Sequence, residues 1–131
     1  MRQKHKRTLL EPADFVRVAA DVFDTTAADI QSTARTKHIA RARQAAHYLA
    51  YHLTAWGLSE IGREIGARDH STVINSINRI DGLRRFEVDV KDRVAEADLT
   101  LRHMSRERKN LHAGPQLVFR SHRSALQGAA Q

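Results

Sequence analysis

Apolar residues recur three and four positions apart along most of the chain, and each such run predicts a helix with one buried face. The first stripe is Phe15, Val18, Ala19, Val22 and Phe23, with Asp14 as its cap and an end near Asp24-Thr25. Thr26-Ala27-Ala28-Asp29 has capping-box spacing and opens a short second helix that buries Ile30. Ile39, Ala42, Ala46, Leu49 and Leu53 make a third helix, which Trp56-Gly57 closes, Gly57 in the C′ place and Trp56 as a packing residue. After the fourth and fifth helices, Asp81-Gly82 loosens or ends the pattern. Leu83, Phe86, Val90, Val94, Ala97, Leu101 and Met104 then give a last helix from about Glu87 to Met104. No strand has a place in this pattern, so the fold class is all-α. The expected organisation is a basic flexible arm over 1–13, a compact helical domain over 14–110 and a flexible basic tail over 111–131.

The fourth and fifth helices form the most informative stretch. Leu58, Ile61 and Ile65 line one face while Glu60, Arg63 and Glu64 fall on the other. Gly66 can adopt a left-handed conformation and stop the helix. Asp69 then caps a second helix whose Val73, Ile77 and Ile80 point inward, leaving Ser71, Thr72, Asn75 and Arg79 elsewhere. Two short helices about a glycine-containing turn are the plan of a helix-turn-helix, whose second helix enters the DNA major groove by its first turn. The base-reading candidates are therefore His70, Ser71 and Thr72, with Asp69 either a cap, a reader of base amino groups, or both.

Charge strengthens this reading. The chain has 131 residues, one domain's worth, with 22 Lys+Arg against 15 Asp+Glu, a net charge of +7 and a pI near 10.5. Such a balance favours polyanionic partners. No carboxylate occurs from Ile30 to Ser59, while Arg35, Lys37, Arg41 and Arg43 accumulate at the start of that interval. They read either as a phosphate-binding surface at a helix start or as a solvated basic face. Cysteine is absent, no apolar run is long enough for a membrane span, and no apolar region follows the basic start, so a cytoplasmic, nucleoid-associated protein is expected.

Arg68-Asp69-His70-Ser71-Thr72-Val73, with Leu58-Ser59-Glu60-Ile61-Gly62 before it and Ile39-Ala40-Arg41-Ala42-Arg43-Gln44 further back, resembles the C-terminal DNA-binding domain (domain IV) of the bacterial replication initiator DnaA. The resemblance covers roughly residues 14 to 104. It implies that Asp69, His70, Ser71 and Thr72 face the bases or adjoining backbone of the duplex site called the DnaA box, and that Arg35 enters the minor groove. It also implies that Arg43 and Gln44 meet the phosphate backbone; Lys37, Arg41 and Arg68 read as further phosphate contacts. The sequence departs from the family at Ala50-Tyr51, where a lysine is common, at Ser59 in place of proline, and at Ala67 in place of a second turn glycine.

No G-x-x-x-x-G-K-[ST] phosphate loop occurs, so a reader without the initiator's ATPase motor is expected. Catalysis is not expected. The eight histidines include no H-E-x-x-H, His47 and His52 do not share one helix face, and no serine sits in a nucleophile elbow, so neither metal nor cofactor is expected. His38, His47 and His52 read as surface or phosphate-near groups. The function expected is sequence-specific binding of double-stranded DNA, as a transcriptional regulator or replication-initiation accessory, including in a prophage or gene-transfer-agent setting. One alternative is an adaptor that contacts DnaA, RNA polymerase or a second copy through the C-terminal helix; another is a nonspecific nucleoid binder. One monomer per site is expected, with dimerisation through the helix containing Val90 and Leu101 as the alternative.

Overall fold

A computed structural model describes residues 8–113. Six helices follow in order: α1 Pro12–Val22, α2 Ala27–Gln31, α3 Lys37–Leu53, α4 Leu58–Glu64, α5 His70–Phe86 and α6 Val88–Ala113. The fold is all-α, with no strand among the described residues.

Helix α3 lies at the centre. Its Ala42, Ala45, Ala46, Leu49 and Ala50 are all essentially inaccessible, because small side chains let α1, α5 and α6 approach it from several sides. Phe15, Ile30, Ile61, Ile65, Val73, Ile80 and Leu101 complete the core from the surrounding helices. Trp56 packs edge-on against Phe15, ring centres 5.5 Å apart, in the packing role its position suggests.

Several helix ends differ from the sequence pattern. The N-cap of α1 is Glu11, not Asp14; Pro12 occupies the first turn, where its missing N–H costs nothing, and Asp14 is the third helical residue of a capping box. Its carboxylate accepts from the Glu11 N–H at 2.7 Å and also from Arg17 and, across the fold, from Arg108 of α6. Burial works against its ionisation, but the Arg108 and Glu11 bonds prevail and hold the carboxyl below its usual range. The packed region also begins before residue 14, since Leu10 is buried. Residues 1–7 and 114–131, which include most of the expected arm and tail, lie outside the described residues.

Gly57 does not end α3. Thr54 does, donating to the Ala50 carbonyl and accepting from the Trp56 N–H, and Gly57 instead caps α4 in an extended conformation. Asp81-Gly82 does not interrupt α5, which runs on to Phe86. Asp81 pairs with Arg84 and Arg85 three and four residues on, and Arg84 donates to the Tyr48 hydroxyl, contacts that offset the ~1 kcal/mol cost of a helical glycine. Phe86 departs from its stripe entirely: it is 85% exposed at the α5–α6 junction. Helix α6 continues past Met104 to Ala113, and its Val90, Val94, Ala97 and Leu101 are spent on this chain's own core.

Candidate nucleic-acid interface

The turn between α4 and α5 takes two successive left-handed residues, Gly66 at φ 85° and Ala67 at φ 50°. Gly66 fits the expectation of a glycine stop. Ala67 accepts a conformation that costs an L-residue on the order of 1 kcal/mol, so the turn must be held by its surroundings. It is held from three sides. The Arg68 N–H donates to the Gly62 carbonyl at 2.8 Å. The Gln31 carboxamide accepts from the Gly66 N–H at 2.5 Å and donates to the Glu64 carbonyl at 3.1 Å, joining α2 to the turn. The Arg68 guanidinium donates to the carbonyls of Gly66 and Ser32.

Gly62 is where α4 and the turn come closest. A methyl group there would overlap the Arg68 carbonyl oxygen and press on Val73 of α5. Gly62→Ala is therefore expected to destabilise the domain by about 1–3 kcal/mol, as overpacking does elsewhere, with the shift read from urea unfolding. An unchanged midpoint would mean that the turn yields freely and does not fix α5.

Arg43 corrects the expectation of a phosphate contact. It is 5% exposed, and its guanidinium donates inward to four carbonyls: Ile30 at 2.7 Å, Ser32 at 3.0 Å, and Asp29 and Ala34 at 3.1 Å each. A planar fork with five N–H groups suits this task, since it can serve the diverging carbonyls at the end of α2 and in the loop after it. Burial, and then the neighbouring Arg68 charge, lower its hold on the proton. Gly66 lies against its side-chain stem, where a Cβ would stand 3.0 Å from Cδ. Arg43 thus shapes the loop that carries Arg35 instead of facing outward beside it.

His47 likewise corrects the surface assignment. It is fully buried, with Nε2 2.8 Å from the Ile65 carbonyl and Nδ1 2.9 Å from the Ser76 hydroxyl. A carbonyl can only accept, so Nε2 carries the proton and donates to Ile65, while Nδ1 accepts from Ser76. One imidazole therefore joins α3 to the turn and to α5. Burial lowers its pKa to about 4, with the Arg43 and Arg68 charges adding to the effect and the Ile65 bond opposing it.

The remaining candidates lie at the start of α5, in the loop before α3 and in the first turns of α3. Asp69 caps α5, accepting from the Thr72 N–H at 3.0 Å; bonds from the Thr72 backbone and hydroxyl hold its exposed carboxyl below the usual range. His70 and Ser71 are exposed and Thr72 half-buried. Arg35, in the loop that Arg43 shapes, and Lys37, the first residue of α3, are exposed. Arg68 is half-buried, with its guanidinium turned toward the turn and Ser32. Arg41 donates to Gln44 at 3.0 Å, so these two are paired along α3; burial and then the like charge of Arg79 lower the hold of Arg41 on its proton.

Sequence reasoning missed Ile74, which is 39% exposed one turn beyond His70 on α5. Its signal was an apolar residue off the Val73, Ile77, Ile80 stripe. It also left out Arg79, exposed on the same helix and near Arg41. Among the described residues, no group of three His, Asp or Glu is placed to hold a metal, and no helix is long and apolar enough to cross a membrane.

Residues 12–80 match the family described as the bacterial DnaA protein helix-turn-helix. Similar proteins include the chromosomal replication initiator protein DnaA of Rhodopseudomonas palustris (strain BisB5), 41% identical over 92 residues, and that of Bradyrhizobium sp. (strain ORS 278), 40% identical over 92 residues. In both, the matched region is 70% of this chain and 19% of the relative, so the chain spans about a fifth of the length of these initiators. The matched residues contain the whole of α4 and the turn, the arginine-shaped loop after α2 and the first two-thirds of α5, which is the assembly described above. The chain belongs to the bacterial DnaA helix-turn-helix family.

Proposed function

We propose that this domain reads a short double-stranded DNA site of the DnaA-box type. The first turn of α5 enters the major groove, where Asp69, His70, Ser71 and Thr72 meet base edges and the adjoining backbone. Arg35 enters the neighbouring minor groove, whose negative potential is greatest at A·T-rich steps. Lys37, Arg41, Gln44 and Arg68 attend the phosphates, Arg68 with the N–H groups that it does not spend on Gly66 and Ser32. Ile74 is added as an apolar contact for a thymine methyl.

The observation that carries this reading is the double clasp beneath the surface. Arg43 and Arg68 both donate to the Ser32 carbonyl, one from α3 and the other from the helix-turn-helix, so the Arg35 loop and the start of α5 are mounted together. A reader that uses two grooves needs its two probes at a fixed separation. The proposed role is to occupy such sites at the nucleoid without catalysis: regulation of transcription, or modulation of initiation beside a full-length initiator.

The test is fluorescence anisotropy with a DnaA-box duplex and a scrambled duplex of equal composition, across a salt series. Wild type is expected to prefer the box, with roughly 0.9 in log–log slope for each phosphate contact. His70→Ala is expected to lose about 1–3 kcal/mol on the box and little on the scrambled duplex. Equal, steeply salt-dependent binding to both duplexes, unmoved by His70→Ala, would overturn the reading in favour of a nonspecific binder.

A further inference from the structure

Remote from the α5 reading edge, where the C-terminal end of α3 meets the last turns of α6, lies a cleft of about 310 Å³. Leu10 and Leu53 contribute apolar walls; His52, Arg102, Arg106 and Lys109 surround them, and among the described residues no carboxylate lines it. The acids nearby are already engaged. Asp98 takes Arg102, Glu107 takes His103, and Asp14 takes Arg108. Arg106 and Lys109 are exposed and have neither ion pair nor hydrogen bond among the described residues. Three residues apart on α6, they fall on one helical face.

We propose that this cleft is a docking site for an acidic, leucine-containing peptide segment of a protein partner. Charge complementarity selects an anionic occupant. The leucine walls select a peptide over a nucleic-acid backbone, since a phosphodiester has no apolar side chain to bury there, whereas an acidic peptide can place carboxylates on Arg106 and Lys109 and an apolar side chain between Leu10 and Leu53. Position supports simultaneous occupancy. His52 is fifteen residues along α3 from Lys37, roughly 22 Å, so the cleft and the Arg35–Lys37 end of α3 are well separated. The domain would then hold DNA by one end and a protein by the other.

The probe is a fluorescein-labelled 12-residue peptide of Glu, Asp and Leu, with a Gln/Asn/Leu peptide as uncharged control and a random-sequence duplex as the nucleic-acid probe. Arg106→Gln/Lys109→Gln is compared with Arg63→Gln/Lys91→Gln, which removes the same charge elsewhere on the surface. At 150 mM salt the first pair is expected to weaken the acidic peptide at least tenfold and the second less than twofold, with both variants as thermally stable as wild type. Equal weakening by the two pairs would reduce the effect to net charge and overturn the proposal. Absence of acidic-peptide binding would overturn it directly, and an Arg106/Lys109 effect on the duplex alone would make the cleft a second nucleic-acid surface instead.

Discussion

Arg43→Ala is expected to destabilise the domain by about 3 kcal/mol, although Arg43 lies in the segment where the family resemblance put a phosphate contact. Four carbonyls lose an Arg43 bond at once, and the Ile30 bond among them is buried; Asp29 keeps its bonds from Ser32, and Ser32 keeps its bond from Arg68. For a domain of this size that is a thermal midpoint lower by roughly 10–20 °C. DNA affinity should fall with it, because the Arg35 loop loses its shape. Arg35→Ala supplies the contrast: an exposed side chain is removed, so affinity should fall with the midpoint unchanged. Arg43→Lys separates charge from geometry, since one ammonium cannot serve four diverging carbonyls and should behave nearly as badly as alanine. An Arg43→Ala variant with native stability and weakened DNA binding would restore the phosphate-contact role.

The second large effect is on acid stability. His47 titrates near its ordinary 6.5 in the unfolded chain and at about 4 in the folded one. Above pH 6.5 it is neutral in both states and its contribution is complete. Between 6.5 and 4 the unfolded chain takes up a proton that the folded domain refuses, so stability declines as pH falls, by a total of about 3 kcal/mol. Below 4 both states are protonated and the loss is complete. Further decline under 3.8 belongs to Asp14 and Asp69, whose carboxyls are held below that value. Urea unfolding at intervals from pH 7.5 to 4 checks the slope. His47→Gln should flatten it, because a carboxamide can still donate to Ile65 and accept from Ser76 without titrating; an equal slope in that variant would assign the acid sensitivity elsewhere.

Periodicity made the helices legible because burial follows one face at a time. The Gly66 stop, the Asp69 cap and the inward Val73 and Ile80 could be read for that reason. Periodicity fails for α3, which is enclosed on several sides and so hides residues beside its stripe as well as on it. Arg43 and His47 are such residues. They lie four and eight positions after Ile39, on the border of the apolar face, and that spacing was the available signal. What it could not convey is that a cation would find carbonyls there and an imidazole a serine, since these partners lie 9 to 29 residues away along the chain. Phe86 fails for the opposite reason: its spacing fits, but α5 ends there and α6 starts in a new direction two residues later. The helix-turn-helix was recognisable through the Arg-Asp-His-Ser-Thr-Val turn, while the buried residues beneath it were not.

The exposure of His70 and Ser71 also bears on how such a domain changes over evolutionary time. Neither side chain packs in the core, whereas Asp69 is tied to the helix end by the bond it accepts from Thr72. On the proposed reading, new bases can therefore be addressed by altering two side chains at little cost to folding, while the residue before them is held by the needs of the helix itself. On that reading the recognition vocabulary has two freely exchangeable letters and one anchored letter, and divergence of target sequence should begin with the former.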